Sequence, residues 1–201
     1  MKKRYELITL VAQLGKAGTV AAAAAQHATP SEGDTLHGIW MSEIGPLNHV
    51  LVLRSRDDAA PTTVASTDLL GCADAINALH IDVYDAFPGV PVLPAGAWGS
   101  HYEIRTYALK DGGVAPTLEA WRLALPARTA PSLSSLAIAL VARDGPARIT
   151  HIWPYRSLEE RGHVRAESVR QGVWPPTGAP QWLTGEMHST IGLPTGGSPW
   201  H

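Results

Sequence analysis

Polar and aromatic side chains alternate along two short segments in the second half of the chain. Glu103, Arg105 and Tyr107 occupy every second position of one segment, and His151 and Trp153 do the same in another. Because successive side chains of a β-strand point to opposite faces, each set shares one face if its segment is a strand. An arginine can clamp a carboxylate or enolate, and an indole ring can stack on an aromatic ligand. The pattern therefore predicts a site for a small, acidic or aromatic molecule.

The same residue types also suit catalysis. His151 or Glu103 could act as a general base, with Tyr107 as an acid or a donor to an oxyanion. We therefore predict Glu103, Arg105, Tyr107 and His151 as catalytic residues and Trp153 as a ligand contact. A structural interpretation stands beside this one. Glu103 and Arg105 could pair across a wet sheet face, His151 could make a structural hydrogen bond, and Trp153 could fill the core.

Two further residues are predicted to contact a ligand. Trp40 lies on the strand of the first half that corresponds to the polar strands of the second. His188 lies on the last predicted strand, where it could complete a constellation with His151. Both predictions leave a purely structural role open.

Several other kinds of chemistry lack their sequence signatures. The nine histidines include no close ligand pair such as HxH or HExxH, so we predict no metal site. Cys72 is the one cysteine, which excludes an intrachain disulfide and predicts a buried thiol. GxSxG, P-loop and GxGxxG motifs are missing, so hydrolase, nucleotide-binding and dinucleotide-binding functions have no support. We expect no cofactor.

The elements that must position these residues occur twice. The segment YELITL at residues 5–10 returns as YEIRTY at 102–107, and the Gly-Pro turn at 45–46 returns at 145–146. A repeat unit of about 100 residues has the size of a small domain. We therefore predict two homologous domains, residues 1–95 and 100–201, on either side of a linker rich in proline and glycine.

Each half shows the order β-α-β-β-α-β, which is the ferredoxin-like unit. In the first half, the predicted strands and helices span residues 3–10, 13–27, 36–41, 49–54, 61–77 and 79–87. In the second half, they span 101–109, a helix from about 113 through 125, then 134–142, 147–154, 157–171 and 182–191. Ser157 and Glu160 form a capping box at the start of the last helix. The fold class is α+β, with two ferredoxin-like repeats whose bare sheet faces meet to form an intrachain pseudo-dimeric α/β barrel.

Composition limits the partners. The net charge is −2, which does not favour nucleic acid or a membrane surface as a partner. The basic start and the alanine run near residue 25 resemble a signal peptide, but polar residues interrupt the stretch between them, and it contains the first repeat. We therefore expect a cytoplasmic protein that binds a small molecule and that could pair further as a homodimer of the two-domain chain.

Three motifs carry a resemblance to a known family. They are EIGPLN at 43–48, YEIRTY at 102–107, and ITHIW at 149–153 followed by Tyr155 and SLEER at 157–161. With these motifs the chain resembles the NIPSNAP family, once in each half. The resemblance implies a dimeric α/β barrel, here made by two fused copies, and it implies no settled reaction.

The two copies differ in a complementary way. The first half keeps the EIGPLN turn but has apolar residues where the second half has Arg105 and His151. Because fused copies need not stay equal, we expect the polar site in the second half. Two functions remain open. One is a cofactor-independent enzyme of isomerase, cyclase or monooxygenase type, acting on a small aromatic or polyketide-like acid in the barrel cavity that the two bare sheet faces enclose. The other is a non-catalytic module that binds a small molecule or another protein.

Overall fold

A computed structural model describes residues 2–29, 32–58 and 70–201. The chain divides into two compact units. Unit 1 comprises Met1–Asp85, Pro94–Ala97 and Thr190–His201, and unit 2 comprises Ala86–Leu93 and Trp98–Ser189. Among the described residues, no helix is both long and apolar enough to cross a membrane.

Unit 1 is an antiparallel sheet with one helix in its described part. Its elements are β1 (Lys3–Ala12), α1 (Ala17–His27), β2 (Thr35–Ile44), β3 (His49–Asp57) and β4 (Ile76–Ala86). The strand order is β4-β1-β3-β2, and the end of β8 (Leu183–Pro194) pairs with β2 through Ile191 to Pro194.

Small side chains allow α1 to lie close to its sheet. Five consecutive alanines give the helix high intrinsic propensity, and Val20, Ala21 and Ala24 form its buried face. That face packs against an apolar layer from β1 and β3, which includes Ile8 and Val52. The resulting core has no polar group at these positions.

Unit 2 contains the complete β-α-β-β-α-β order. Its elements are β5 (His101–Leu109), α2 (Val114–Arg128), β6 (Ile138–Ala142), β7 (Arg148–Tyr155), α3 (Leu158–Arg170) and the first part of β8. Within the unit, the strand order is β8-β5-β7-β6.

The two helices of unit 2 present regular stripes to their sheet. The buried residues of α2 are Thr117, Trp121, Leu125 and Arg128, at the spacing of one helical face. The start of α3 is fixed by Ser157, whose hydroxyl accepts a hydrogen bond from the Glu160 N–H at 3.1 Å. This position of α3 turns Arg161 and Arg165 towards the sheet.

Most of the predicted elements are present, with boundaries that shift by a few residues. The α+β class is confirmed, as are the helix that begins after Gly113 and the side-chain cap by Ser157. The predicted capping box forms only in part, because the Glu160 carboxylate accepts from the N–H of Arg156 instead of that of Ser157. The helix predicted at 61–77 falls largely on residues 59–69, which lie outside the described part, and β4 already begins at Ile76. The domain limits at 95 and 100 stay a prediction, since they concern the sequence repeat.

Candidate functional site

The residues predicted to do chemistry meet on neighbouring strands of unit 2. In the antiparallel pairing of β5 with β7, Glu103 lies opposite Trp153, and Arg105 lies opposite His151. Tyr107 follows on β5, where its ring meets that of His151 edge-on with centroids 5.0 Å apart. The five side chains therefore share one face of the sheet.

This face is the one that the helices cover, which corrects the expectation of a pocket on the bare face. Trp121 of α2 lies 4.8 Å from the His151 ring, centroid to centroid. From α3, Arg161 reaches Glu103. Alternation along the strands separated the two faces correctly, but both faces are buried, so alternation could not tell which one faces the helices.

Glu103 is a fully buried carboxylate among arginines. Its Oε1 lies 2.9 Å from Arg105 Nη1, 2.5 Å from Arg161 Nη2 and 3.4 Å from Arg165 Nη1. The Ser189 hydroxyl donates to the same oxygen at 3.2 Å. Because four donors converge on Oε1, the carboxylate is an anionic anchor for the arginines, whereas Oε2 receives only Arg165 Nη1, at 3.4 Å. A catalytic role for Glu103 stays a prediction.

A fourth arginine, Arg128, lies in the same cluster and forms no ion pair in the described structure, although the charge of Glu103 acts on it from a longer distance. Its side chain is 2% exposed, its Cζ lies 4.1 Å from the centroid of the Trp153 ring and 5.7 Å from that of Trp174. Its Nη2 donates to the Tyr155 hydroxyl at 3.4 Å, while Nε and Nη1 have no hydrogen-bond partner in the described structure. Burial lowers the pKa of Arg128, although a guanidinium stays cationic in proteins.

The titratable rings of the cluster are neutral at neutral pH. Burial, followed by the charges of Arg105 and Arg128, holds the pKa of His151 well below its usual value. Burial likewise raises the pKa of Tyr107, and it raises the pKa of Tyr155 to about 12 against the opposing effect of Arg128. Four arginines and one glutamate therefore leave an excess of positive charge.

Two openings that share Arg105, Arg165, Val169 and Trp174 as lining residues lie beside this excess of positive charge. A pocket of about 60 Å³ is lined by Glu103, Arg105, Arg128, His151, Trp153, Tyr155, Arg165, Ser168, Val169 and Trp174. A wider cleft of about 280 Å³ is lined by Arg105, Tyr107, Trp121, Ile149, Arg165, Val169, Trp174, Pro175, Pro176, Ala179, Pro180, Leu183 and Met187. The pocket has the size of one acidic group, and the cleft suits an apolar or aromatic body.

Sequence comparison identifies the family of the chain. The NIPSNAP family model matches residues 5–65 and 102–199. The chain belongs to the NIPSNAP family. It is also similar to a NipSnap homolog of Dictyostelium discoideum, with 26% identity over 157 residues that cover 73% of this chain and 69% of the relative.

Solved structures share the fold of this NIPSNAP chain. A candidate monooxygenase from Lactobacillus acidophilus NCFM matches with a TM-score of 0.69 at 9% identity, over 96% of this chain and 94% of its own. An anthrone oxidase-like protein matches with a TM-score of 0.64 at 9% identity, over 97% of this chain and 92% of its own. A ferredoxin-fold protein from Listeria monocytogenes, related to antibiotic biosynthesis monooxygenases, matches with a TM-score of 0.56 at 9% identity, over 97% of this chain and 96% of its own. These likenesses confirm the ferredoxin-like fold class.

Two predicted ligand contacts are placed elsewhere. Trp40 is fully buried in unit 1, where its ring lies over Gly38 and 6.2 Å from the ring of Trp200. His188 on β8 is largely exposed beside Glu186. Of its two neighbours, Met187 lines the cleft and Ser189 donates a hydrogen bond to Glu103. Strand alternation therefore turns His188 away from the other predicted residues.

Sequence reasoning missed Arg128, Arg161, Arg165 and Trp174 as parts of the site. The sequence does contain a signal for Arg128. The residue lies on the same helical face as Thr117, Trp121 and Leu125, at the spacing of successive helical turns. The two arginines of α3 lie four residues apart, which places them on one helical face. Trp174 had no periodic signal, since it lies in the loop after α3.

The donors in the cluster suit an anion better than a metal ion. Guanidinium groups and an imidazole with one free N–H all donate hydrogen bonds. In the described part of the chain, no three histidine, cysteine, aspartate or glutamate side chains cluster as metal ligands would. The arrangement can hold an organic anion and stabilise negative charge that develops on it.

Proposed function

We propose that unit 2 of this NIPSNAP protein binds a small aromatic or polyketide-like acid and stabilises its anionic, enolate-like form. The observation that carries this proposal is Arg128, a buried cation with unused N–H donors that lines the small pocket next to the aromatic cleft. A buried charge that has no ion pair in direct contact costs free energy, so its presence favours a role in binding an anion. Arg105 lines both openings and would contact the same ligand.

The proposed ligand has two parts. Its charged oxygens enter the small pocket beside Arg128 and His151, and its ring system lies in the cleft against Tyr107, Trp121 and Trp174. Trp121 and Trp174 meet edge-on with centroids 4.8 Å apart, which gives the cleft a firm aromatic wall. The ligand is therefore amphipathic.

The proposed chemistry is of the isomerase, cyclase or monooxygenase type, each of which can pass through an enolate. The proton on the carbon beside a carbonyl leaves to water, and the electron pair moves onto the oxygen that the cationic donors hold. Oxygenation would in addition consume one dissolved O2: one oxygen atom replaces the two hydrogens of a ligand CH2 group as a carbonyl, the other leaves as water, and the ligand itself supplies the electrons. Fold likeness to proteins named for monooxygenase and oxidase chemistry supports this class, although fold alone is a weak argument for function.

Binding is tested by thermal unfolding with a panel of naphthoates, aryl β-keto acids and 1,3-diketones, each paired with a neutral amide or ester. A ligand present at 100 times its dissociation constant adds about 2.7 kcal/mol of stability. We expect stabilisation by acids only, and its loss in Arg128→Met. The control is Arg156→Gln, which changes an exposed arginine outside both openings. Stabilisation that survives Arg128→Met, or that amides share equally, would contradict the proposal.

Turnover distinguishes an enzyme from a binding protein. In D2O, an enzyme that stabilises the enolate should exchange the proton beside the carbonyl of a bound β-keto acid, which NMR detects. We expect wild type to accelerate the exchange above the rate measured without protein, and Arg128→Met to leave it near that uncatalysed rate. Tight, Arg128-dependent binding without exchange or O2 uptake would assign the site to a non-catalytic binding function.

A further inference from the structure

One hydrogen bond inside the site has a fixed direction. The indole Nε1 of Trp153 lies 2.6 Å from Nδ1 of His151, and both atoms are buried. An indole N–H can only donate, so Nδ1 of His151 must accept with its lone pair. The proton of the neutral imidazole is therefore on Nε2.

The other nitrogen of His151 is unused. His151 Nε2 is buried and has no hydrogen-bond partner among the described residues. The ring cannot easily reorient, because Tyr107 and Trp121 contact it at 5.0 Å and 4.8 Å between centroids. The charged groups around it are Arg105 on β5 and Arg128 on α2, both cations, and these together with burial keep the ring neutral by lowering its pKa.

The remaining unused polar atoms of the cluster are donors as well. Nε and Nη1 of Arg128 and Nε of Arg105 are buried without partners in the described structure. The acceptor in their midst, the Glu103 carboxylate, receives hydrogen bonds from Arg105, Arg161 and Ser189 at Oε1 and a longer one from Arg165 at Oε2. Because the unused atoms are donors, a ligand oxygen in this pocket gains more by accepting hydrogen bonds than by donating one.

We propose that Trp153 is a positioning residue that fixes His151 as a hydrogen-bond donor, and that the pocket thereby selects ligands whose oxygens are unprotonated acceptors. The ligand class is a carboxylate or, with greater complementarity, the enolate of a 1,3-dicarbonyl compound, whose two oxygens can meet His151 Nε2 and Arg128 together. The ligand half of this inference rests on the proposed function, whereas the protonation of His151 does not.

The inference replaces the role predicted for His151 from sequence. A general base needs a free lone pair that faces the ligand. In His151 the lone pair of Nδ1 is taken by Trp153, and Nε2 presents a proton. His151 therefore stabilises negative charge on an oxygen, and proton abstraction falls to solvent.

The first measurement is the tautomer of His151 by ¹⁵N NMR of histidine-labelled protein at pH 7, with the signals assigned by comparison with His151→Gln. We expect the neutral form protonated at Nε2 in the wild type. In Trp153→Phe, which keeps an aromatic ring but removes the N–H, we expect a mixture of tautomers. An imidazolium, or a neutral ring protonated at Nδ1 in the wild type, would overturn the inference without any variant.

The second measurement uses 1-phenyl-1,3-butanedione, whose enolate has its own ultraviolet absorption. We expect wild type to bind it as the enolate, with affinity reduced on the order of tenfold in Trp153→Phe through loss of one oriented hydrogen bond. Binding of the diketone as the neutral form, or equal affinity in the two proteins, would overturn the selectivity.

The two proposals fail in different ways. If naphthoates bind through Arg128 but His151 is charged or protonated at Nδ1, the inference is wrong and the proposed function stands. If the tautomer is as expected but neither naphthoates nor the diketone bind, the proposed function and the inferred ligand class are both wrong, while the protonation of His151 at Nε2 stands.

Discussion

The two units place a buried glutamate at the same point of their first strand and surround it differently. In unit 1, Glu6 is bound by Arg54 of the neighbouring strand, with Nη2 and Nε 2.7 Å and 2.8 Å from Oε2. Arg54 Nη1 also donates to the carbonyl of Ala28 at the end of α1. In unit 2, Trp153 occupies the position of Arg54, and arginines from α3 bind Glu103 instead.

The difference extends to the rest of the helix-covered face. Where unit 1 has Ile8 opposite Val52, unit 2 has Arg105 opposite His151. Small residues of α1 close over the apolar pair, whereas the tryptophan of α2 leaves room beside the polar pair. The same fold therefore pairs its buried glutamate with the neighbouring strand in unit 1 and gathers arginines from both helices around it in unit 2, which supports the proposed site in unit 2.

The largest expected effect comes from breaking the pair in unit 1. Arg54→Met leaves the Glu6 carboxylate buried with Arg4 as its remaining close cation in the described structure. Loss of one partner of a buried ion pair costs about 3–5 kcal/mol. Urea unfolding at pH 7 measures this loss. The double variant Glu6→Gln/Arg54→Met should recover much of it, and a loss below about 1 kcal/mol in the single variant would contradict the structural role of the pair.

Glu103→Gln should have a smaller effect in unit 2. It removes the counter-charge of three arginines, but the side chains of Arg161 and Arg165 are 28% and 41% exposed and keep access to water. We expect a loss of about 2 kcal/mol in urea unfolding, within the range for hydrogen bonds to a charged group. The control Glu119→Gln breaks an exposed pair and should change stability by less than 1 kcal/mol. A loss as large as that of Arg54→Met would remove the distinction between the units.

Acid should destabilise both units through histidines whose pKa is lowered by burial, chiefly His37 in unit 1 and His151 in unit 2. Burial, with a smaller effect of Lys3, lowers the pKa of His37 in unit 1 to about 4, and the pKa of His151 is lowered well below 6.5. As the pH falls below about 6.5, the unfolded chain binds a proton that the folded chain does not, so stability decreases. The decrease is about 1.4 kcal/mol per pH unit for each group, and for His37 it ends near pH 4.

This pH dependence is checked by urea unfolding at pH 7, 6 and 5 with His151→Gln and His37→Gln. Each variant should lose less stability on acidification than the wild type does. A His151→Gln curve that runs parallel to the wild-type curve would show that His151 is already charged when folded, contrary to the neutral ring in the cluster.

The helix caps give a further contrast of smaller size. Ser157→Ala removes the side-chain cap of α3 and should cost about 1 kcal/mol. Lys16, at the corresponding start of α1, makes no side-chain cap hydrogen bond, so Lys16→Ala should change stability by less than about 0.5 kcal/mol. Thermal unfolding of the two variants compares them, and equal losses would contradict the assignment of the cap.

Sequence predicted the repeat, the order of elements and the pairing of the polar strands, because alternation and turn residues are local signals. It did not predict which sheet face the helices cover, since both faces carry buried side chains such as Tyr102 and Glu103. That choice depends on the stripes of α2 and α3, where Arg128 and Arg161 could be read as solvated residues. Loop residues such as Trp174 join the site through tertiary packing alone.

The most direct test of the contrast compares Arg128→Met with Arg54→Met in urea unfolding at pH 7, without any ligand. Met retains most of the volume of each buried stem and removes the charge. If Arg128 is kept for binding, its loss removes an unpaired buried cation and leaves stability within about 1 kcal/mol of wild type, while Arg54→Met loses about 3–5 kcal/mol. Equal, large losses in the two variants would show that Arg128 is a structural residue like Arg54, and would contradict the assignment of a binding site to unit 2.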